Sequence, residues 1–254
     1  MTQKARDTFG PNANAYVTSK NHAKGEDLEL LKALISNSEA KTALDIATGA
    51  GHAAKTIAPY VQNVIAVDVT PEMLAAAQNV AATNRLTNIE FVEATAEKLP
   101  FSAFAFDLAV CRIAAHHFDE VSAFLREAYR VLKEGGRLYL LDNVALEEDA
   151  LDRFYNKLET YRDPSHVRAY KKSEWLKMAE EAGFTVKQLH TFCKQFDFHD
   201  WTARVQLNEA KKRDLGKWML AAGEREKQAY AIKEVDGAVS TFCGQSILLE
   251  LQKN

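Results

Sequence analysis

From residue 24 onward, short apolar runs alternate with segments whose apolar residues recur at helical spacing, the pattern of a parallel sheet covered by helices. Five runs have strand length: Ala43 to Ala47, Val64 to Asp68, Ile89 to Val92, Leu108 to Cys111 and Arg137 to Asp142. Between them Ala53 to Tyr60, Pro71 to Asn84 and Val121 to Lys133 read as helices, with Pro71 in a first-turn position behind Thr70 as its cap. Gly135 and Gly136 read as a helix stop feeding the fifth strand. The expectation is an α/β, doubly wound sheet.

After residue 142 the alternation changes. Residues 147–162 and 173–182 look helical, Gly183 ends the second of these, and Phe184 to Phe192 alternates as a strand. Residues 206–233, rich in Lys, Glu, Ala and Gln, read as helical before a last apolar run from Ser246 to Leu251. The last two strands are expected to form an antiparallel edge with a helical insertion between them. Lacking internal repeats and Pro/Gly-rich linkers, residues 1–254 read as a single domain. The first 20 residues have weak periodicity, which suits an arm that orders over a ligand.

A chain of 254 residues, 47% hydrophobic and 26% charged, buries a substantial core, and its formal charge of -3 disfavours nucleic acid as partner. Cys111, Cys193 and Cys243 are far apart without a metal-ligand spacing, so a reduced setting without metal is expected. No window approaches the ~18 apolar residues of a membrane span, and the start MTQKARDTFG lacks the apolar stretch of a secretory signal. A cytoplasmic protein with no membrane span is expected, and assembly into a homo-oligomer is compatible with all of this.

The run ALDIATGAGHAA sets Gly49 and Gly51 between a strand and a helix, where backbone N–H groups favour a nucleotide-type ligand. Alone, the glycines also satisfy a dinucleotide fingerprint or merely turn the chain. Asp68, ending the second strand, is placed to accept both hydroxyls of a ribose, or else to cap the helix at Pro71. Asp45, four residues before Gly49, would repel a pyrophosphate and suits a ligand that brings positive charge; backbone donors alone are the other way to hold it.

LDIATGAG, VIAVDVTPEML, EATAEKLPF, FDLAVCRIAAHHF and RVLKEGGRLYLLD, in this order and spacing, resemble the class I S-adenosylmethionine-dependent methyltransferases, in the group similar to the ubiquinone and menaquinone biosynthesis enzymes. The resemblance implies a mostly parallel seven-stranded sheet with an antiparallel last strand, the Rossmann-like methyltransferase fold, and a helical cap insertion. On that reading 1–23 is an arm over the cofactor site, 24–142 the cofactor-binding core, and 143–254 the substrate-cap helices and last two strands.

It further implies that S-adenosyl-L-methionine is the cofactor. Gly49 and Gly51 would line its methionine portion, Asp68 its ribose, and Met73 its adenine, with Thr95 and the N–H of Ala96 at the adenine edge. Many relatives carry Asp where Thr95 stands and Gly where Ala47 stands. Tyr16 resembles an aromatic that closes over the cofactor, a surface staple being the alternative. Asp45, Thr70, Cys111 and Arg112 complete the expected cofactor-binding set, Cys111 through its backbone.

Methyl transfer from a sulfonium is an in-line displacement, so the protein chiefly positions donor and acceptor and excludes water. Some acceptors need a base, for which His116 and His117 after the fourth strand are the candidates, His117 first; capping or loop hydrogen bonding would suit them equally. Asp142 and Asn143 come second, as groups that orient an acceptor. Arg162, His166 and Arg168 around Pro164 suggest an anionic or polar acceptor, or a solvated loop. Trp201, Trp218 and Met219 fit either a substrate wall or core packing. A small-molecule acceptor is the leading expectation. The alternatives are an S-adenosylmethionine-binding module without activity, and a nicotinamide-dependent oxidoreductase.

Overall fold

A computed structural model describes residues 3–13, 17 and 25–254. Its elements run α1 (Gln3–Phe9), α2 (Glu26–Ser36), β1 (Thr42–Ile46), α3 (His52–Ile57), β2 (Asn63–Asp68), α4 (Pro71–Thr83), β3 (Ile89–Glu93), β4 (Phe106–Arg112), α5 (Val121–Val131) and β5 (Leu132–Val144). There follow α6 (Asp149–Arg162), α7 (Lys172–Glu181), β6 (Phe184–Asp197), α8 (Phe198–Ala203), α9 (Glu209–Leu220), α10 (Glu224–Ala229), β7 (Lys233–Val235) and β8 (Ala238–Lys253).

The sheet order is β3-β2-β1-β4-β5-β8-β6, parallel from β3 to β5, with β8 antiparallel to both β5 and β6. The expected mixed α/β sheet is therefore present. An eighth short strand, β7, also pairs with β8. Burial on both faces explains the apolar runs. Leu44, Ile46, Ala109, Leu138 and Leu140 face α5 and α7, while Ala43, Leu108, Val110, Tyr139 and Leu141 face α2 and α3. Each strand thus feeds two cores by alternation.

Gly135 and Gly136 do not stop the helix. Helix α5 ends at Val131, and the glycines lie in a bulge of β5, where the register moves from Phe106 opposite Leu132 to Leu108 opposite Arg137. Gly135 takes φ 74° there, and a Cβ on Gly136 would lie 2.7 Å from the Lys133 carbonyl oxygen. The chain makes room for extra residues by bending, and only glycine fits the bend.

The expected helix over 206–233 is broken into α9, α10 and β7. Asn208 caps α9 by accepting the Lys211 N–H at 2.9 Å, and Asp236 and Gly237, at φ 50° and 78°, turn β7 back onto β8. Asp-Gly is a hairpin dipeptide whose local signal is masked by the surrounding helix-forming composition. β6 and β8 are also longer than the runs that announced them. Beyond Val144, the last β5 residue paired with β8, they pair with each other, β8 also taking β7 along its first residues, and carry Phe196 and Phe242 past the end of β5. These pack with Tyr155, Trp201, Met219 and Tyr230 into a separate core above the carboxyl edge of the sheet.

Candidate active site

The carboxyl ends of β1, β2 and β4 open on a cleft of about 650 Å³. Where β1 ends, Ala47 takes φ 57°, and where β4 ends, Ile113 takes φ 52°; both wall the cleft. A left-handed non-glycine residue costs about 1 kcal/mol, so two of them side by side mark a backbone shaped for something other than stability. At position 47 the Cβ is a tolerated load where glycine would have none.

Gly49 and Gly51 divide their work. A Cβ added to Gly49 would meet nothing within 4 Å, so that backbone lies open to the cleft. One on Gly51 would sit 3.0 Å from Cβ of Ala77, so Gly51, at φ 82°, serves the close packing of α3 on α4.

Asp68 Oδ2 accepts the Gly49 N–H at 2.9 Å and Oδ1 accepts that of Thr70 at 2.9 Å. Asp45 Oδ2 accepts the Thr48 hydroxyl at 2.6 Å and the Ala54 N–H at 2.8 Å. Burial pushes the Asp45 carboxyl up to about 7 and raises Asp68 as well, the hydrogen bonds offsetting only part of it. Two buried carboxyls in one cleft favour a ligand that brings positive charge. Arg112, at the end of β4, donates from Nε to Asp27 Oδ2 at 2.8 Å, and Lys194 stands 3.7 Å from the same carboxylate. Burial works against the Asp27 charge, yet these two cations hold its carboxyl below its usual value.

A second cavity, about 620 Å³, adjoins the first and shares Phe9, Ile113 and His117 with it. Its remaining wall comes from the ends of β4 and β5 and from the cap, including Asn143, Glu159, Asp163, Lys194, Phe196 and Trp201. His116 Nδ1 lies 2.6 Å from Asp142 Oδ1, and the N–H of His116 donates to Oδ2 at 2.9 Å. Burial opposes the imidazolium of His116, but Asp142 outweighs it and raises the ring's pKa. His117 differs: burial and the neighbouring His116, 4.1 Å between ring centres, bring it down to about 3. Phe9 of α1 packs edge-on to the His117 ring at 4.8 Å.

The first cleft thus gathers Asp45, Ala47, Gly49, Asp68, Thr70, Met73, Arg112 and His117. His116 faces the second cavity. Gly51, Thr95, Ala96 and Cys111 are not among its walls; Cys111 and Ala96 pack in the core, where burial drives the Cys111 thiol up. Tyr16 lies outside the described residues. Of the loop cluster, Arg162 reaches the second cavity, stacked 4.7 Å over Trp201, whereas Arg168 is taken up by Asp152 and Glu174 and His166 hydrogen-bonds Asn156. Trp218 stacks on Phe154, and Met219 is buried in the cap core. Sequence reasoning missed Phe9, Ile113, Asp163 and Lys194, which carry no local motif and meet only through folding.

Residues 44–140 match the methyltransferase domain family. The chain is 35% identical over 243 residues to the uncharacterized methyltransferase YcgJ of Bacillus subtilis, covering 95% of this chain and 96% of that protein. This chain belongs to the class I S-adenosylmethionine-dependent methyltransferases. The solved YcgJ structure superposes with a TM-score of 0.86 over 90% of this methyltransferase and 98% of that chain. A Bacillus halodurans structure assigned to the methyltransferases is 44% identical, with a TM-score of 0.88 over 90% of this chain and 99% of that one. The ubiquinone/menaquinone biosynthesis C-methyltransferase UbiE of Sinorhizobium fredii is 39% identical over 117 residues, 44% of this methyltransferase and 45% of UbiE. S-adenosyl-L-methionine is therefore the cofactor, and the cleft fits it: two buried carboxyls for its positive charge, an open backbone at Gly49, and apolar Met73 and Phe9 beside them. Among the described residues no helix is long and apolar enough to cross a membrane.

Proposed function

We propose that this methyltransferase acts on a small-molecule acceptor held in the second cavity, between the carboxyl edge of the sheet and the cap. The observation that carries the reading is the shared wall of Phe9, Ile113 and His117, which sets a second, partly open space of about 620 Å³ directly against the cofactor cleft. A module that only bound the cofactor would have no use for such a space. Its walls combine aromatic faces, Phe9, Phe196 and Trp201, with charged groups, Glu159, Asp163, Arg162 and Lys194, which suits an acceptor with an apolar body and a polar end.

Bound S-adenosylmethionine supplies an electrophilic methyl group on a positively charged sulfur. Asp68 would accept the ribose hydroxyls, Met73 would pack on the adenine, and the backbone of Ala47 and Gly49 would approach the methionine portion, with Asp45 balancing its charge. Thr70 and Arg112 hold the rim, and Thr95, Ala96, Gly51 and Cys111 would act through backbone or packing. His117, in both cavities, would contact the acceptor, with His116 beside it. The protein's main contribution is alignment and exclusion of water.

The experiment is incubation of the protein with S-adenosylmethionine labelled in its methyl group and a fractionated metabolite extract. A labelled small molecule, absent when boiled protein is used, is expected. Tight binding of S-adenosylhomocysteine with no label transferred to any small molecule would remove the reading in favour of a macromolecular acceptor or a binding module.

A further inference from the structure

We propose that Asp163 and Ser165, in the cap loop after α6, are positioning residues that fix His117 with its Nε2 lone pair toward the acceptor, so that the enzyme serves acceptors carrying a proton on the attacking atom. This rests on transfer to an acceptor in the second cavity.

His117 Nδ1 lies 3.1 Å from the Ser165 carbonyl oxygen and 3.3 Å from Ser165 Oγ. The carbonyl only accepts, and the Ser165 hydroxyl donates its hydrogen to Asp163 Oδ1 at 2.5 Å. Nδ1 must therefore carry the ring hydrogen. In a neutral imidazole that leaves the lone pair on Nε2, on a ring that walls both cavities. His116 is arranged in the same way on Asp142 but walls only the second cavity, whereas His117 stands where the two cavities meet.

Asp163 holds the loop twice, since Oδ1 also accepts the Ser165 N–H at 2.8 Å. Its Oδ2 is buried without a hydrogen-bond partner among the described residues, 4.0 Å from Arg162. A carboxylate in such a place, one hydroxyl away from His117, offsets part of the burial and the His116 repulsion that otherwise disfavour the imidazolium formed when the ring takes a proton. The carboxylate lies across the serine from His117, so its effect on the ring passes through Ser165, although it also walls the second cavity.

The step balances as follows: the acceptor atom's electron pair forms the bond to the methyl carbon, the carbon–sulfur bond breaks with its pair going to sulfur, and the acceptor's proton passes to Nε2 and then to solvent. Such a device is superfluous for an acceptor that attacks without losing a proton, such as a thiolate or a tertiary amine. It suits a hydroxyl or an acidic carbon.

The test reads the tautomer directly, by long-range proton–nitrogen correlation spectra of protein labelled in histidine, the His117 signals being those that His117→Gln removes. The Nδ1–H tautomer is expected in the wild type, and a mixture of tautomers in Asp163→Asn and Ser165→Ala. Both variants are expected to bind S-adenosylhomocysteine as the wild type does and to lose about tenfold or more in label transfer to the extract, a part of the roughly 10²–10⁴-fold that a general base contributes. An Nε2–H tautomer in the wild type, or unchanged transfer by Asp163→Asn, would overturn the proposal. The spectrum needs no acceptor, so a wild-type protein that transferred no label would sink the small-molecule reading while the tautomer still decided the role of Asp163 and Ser165.

Discussion

Asp68 Oδ2 accepts the backbone N–H of Gly49 at 2.9 Å, so the carboxylate that ends β2 holds in place the loop that follows β1. The bond joins the two features by which a nucleoside would be held, and each depends on the other. Replacing Asp68 by Asn removes the charge while keeping one acceptor oxygen. Affinity for S-adenosylhomocysteine is expected to fall by about 1 to 3 kcal/mol, from weaker hydrogen bonds to the ligand and a loosened loop. Titration calorimetry checks it, and unchanged affinity would remove Asp68 from the site.

Asp45 predicts a pH dependence. Its folded value of about 7 stands above the usual 3.8, so the native state holds a proton that the unfolded chain has released, and ligand-free stability falls as pH rises from 3.8 towards 7. A cationic ligand beside Asp45 reverses this preference, because it favours the ionised form. Cofactor affinity is therefore expected to rise with pH over the same window, with release of protons on binding. Calorimetry in buffers of differing ionisation enthalpy measures that release, which Asp45→Asn should abolish.

Gly51 tests the packing of the loop separately from its chemistry. Gly51→Ala would set a Cβ against Cβ and Cα of Ala77, at 3.0 and 3.2 Å, on a backbone held at φ 82°. Overpacking and a left-handed side chain together are expected to lower unfolding stability by about 1 to 3 kcal/mol. Urea denaturation reads the loss, and a midpoint equal to that of the wild type would show that α3 and α4 can part at no cost.

The His116–Asp142 pair ties the end of β4 to that of β5. Asp142 accepts from the His116 ring, the His116 N–H and the Asn143 N–H, so Asp142→Ala leaves two buried donors and a half-buried one without their partner. A loss of about 3 to 5 kcal/mol is expected. The sign with pH follows from the two shifts: Asp142 is lowered and His116 raised. The pair's contribution fades as pH falls through the depressed Asp142 value and fades again as pH rises through the raised His116 value. The stability difference between wild type and Asp142→Ala, measured by denaturation across pH, should therefore be greatest between those limits.

Much of the donor site was legible because its residues sit next to the ends of consecutive strands. Asp45, Gly49 and Asp68 are specified by position after an apolar run, and any parallel sheet brings such positions to one edge. Misreadings arose where local preference and tertiary demand differ. Gly135 and Gly136 have the look of a helix stop, but serve a bulge created by pairing with β4. Lys, Glu, Ala and Gln over 206–233 suggest one helical stretch, whereas it breaks into α9 and α10, and β7 then pairs on an edge of β8 that only the folded sheet provides.

By itself the sequence determined the α/β alternation, the open glycine loop and the two carboxyls that favour a cationic nucleoside donor. Short-range spacing suffices for these, since neighbouring strand ends converge whatever the rest of the chain does. Only the tertiary structure decided the second cavity. Phe9, His117, Asp163, Lys194 and Trp201 come from an N-terminal helix, a strand end and three parts of the cap. No periodicity links them, and the second cavity, the contact of His117 with Ser165 and the contrast between His116 and His117 exist only once β6 and β8 have carried the cap over the edge of the sheet.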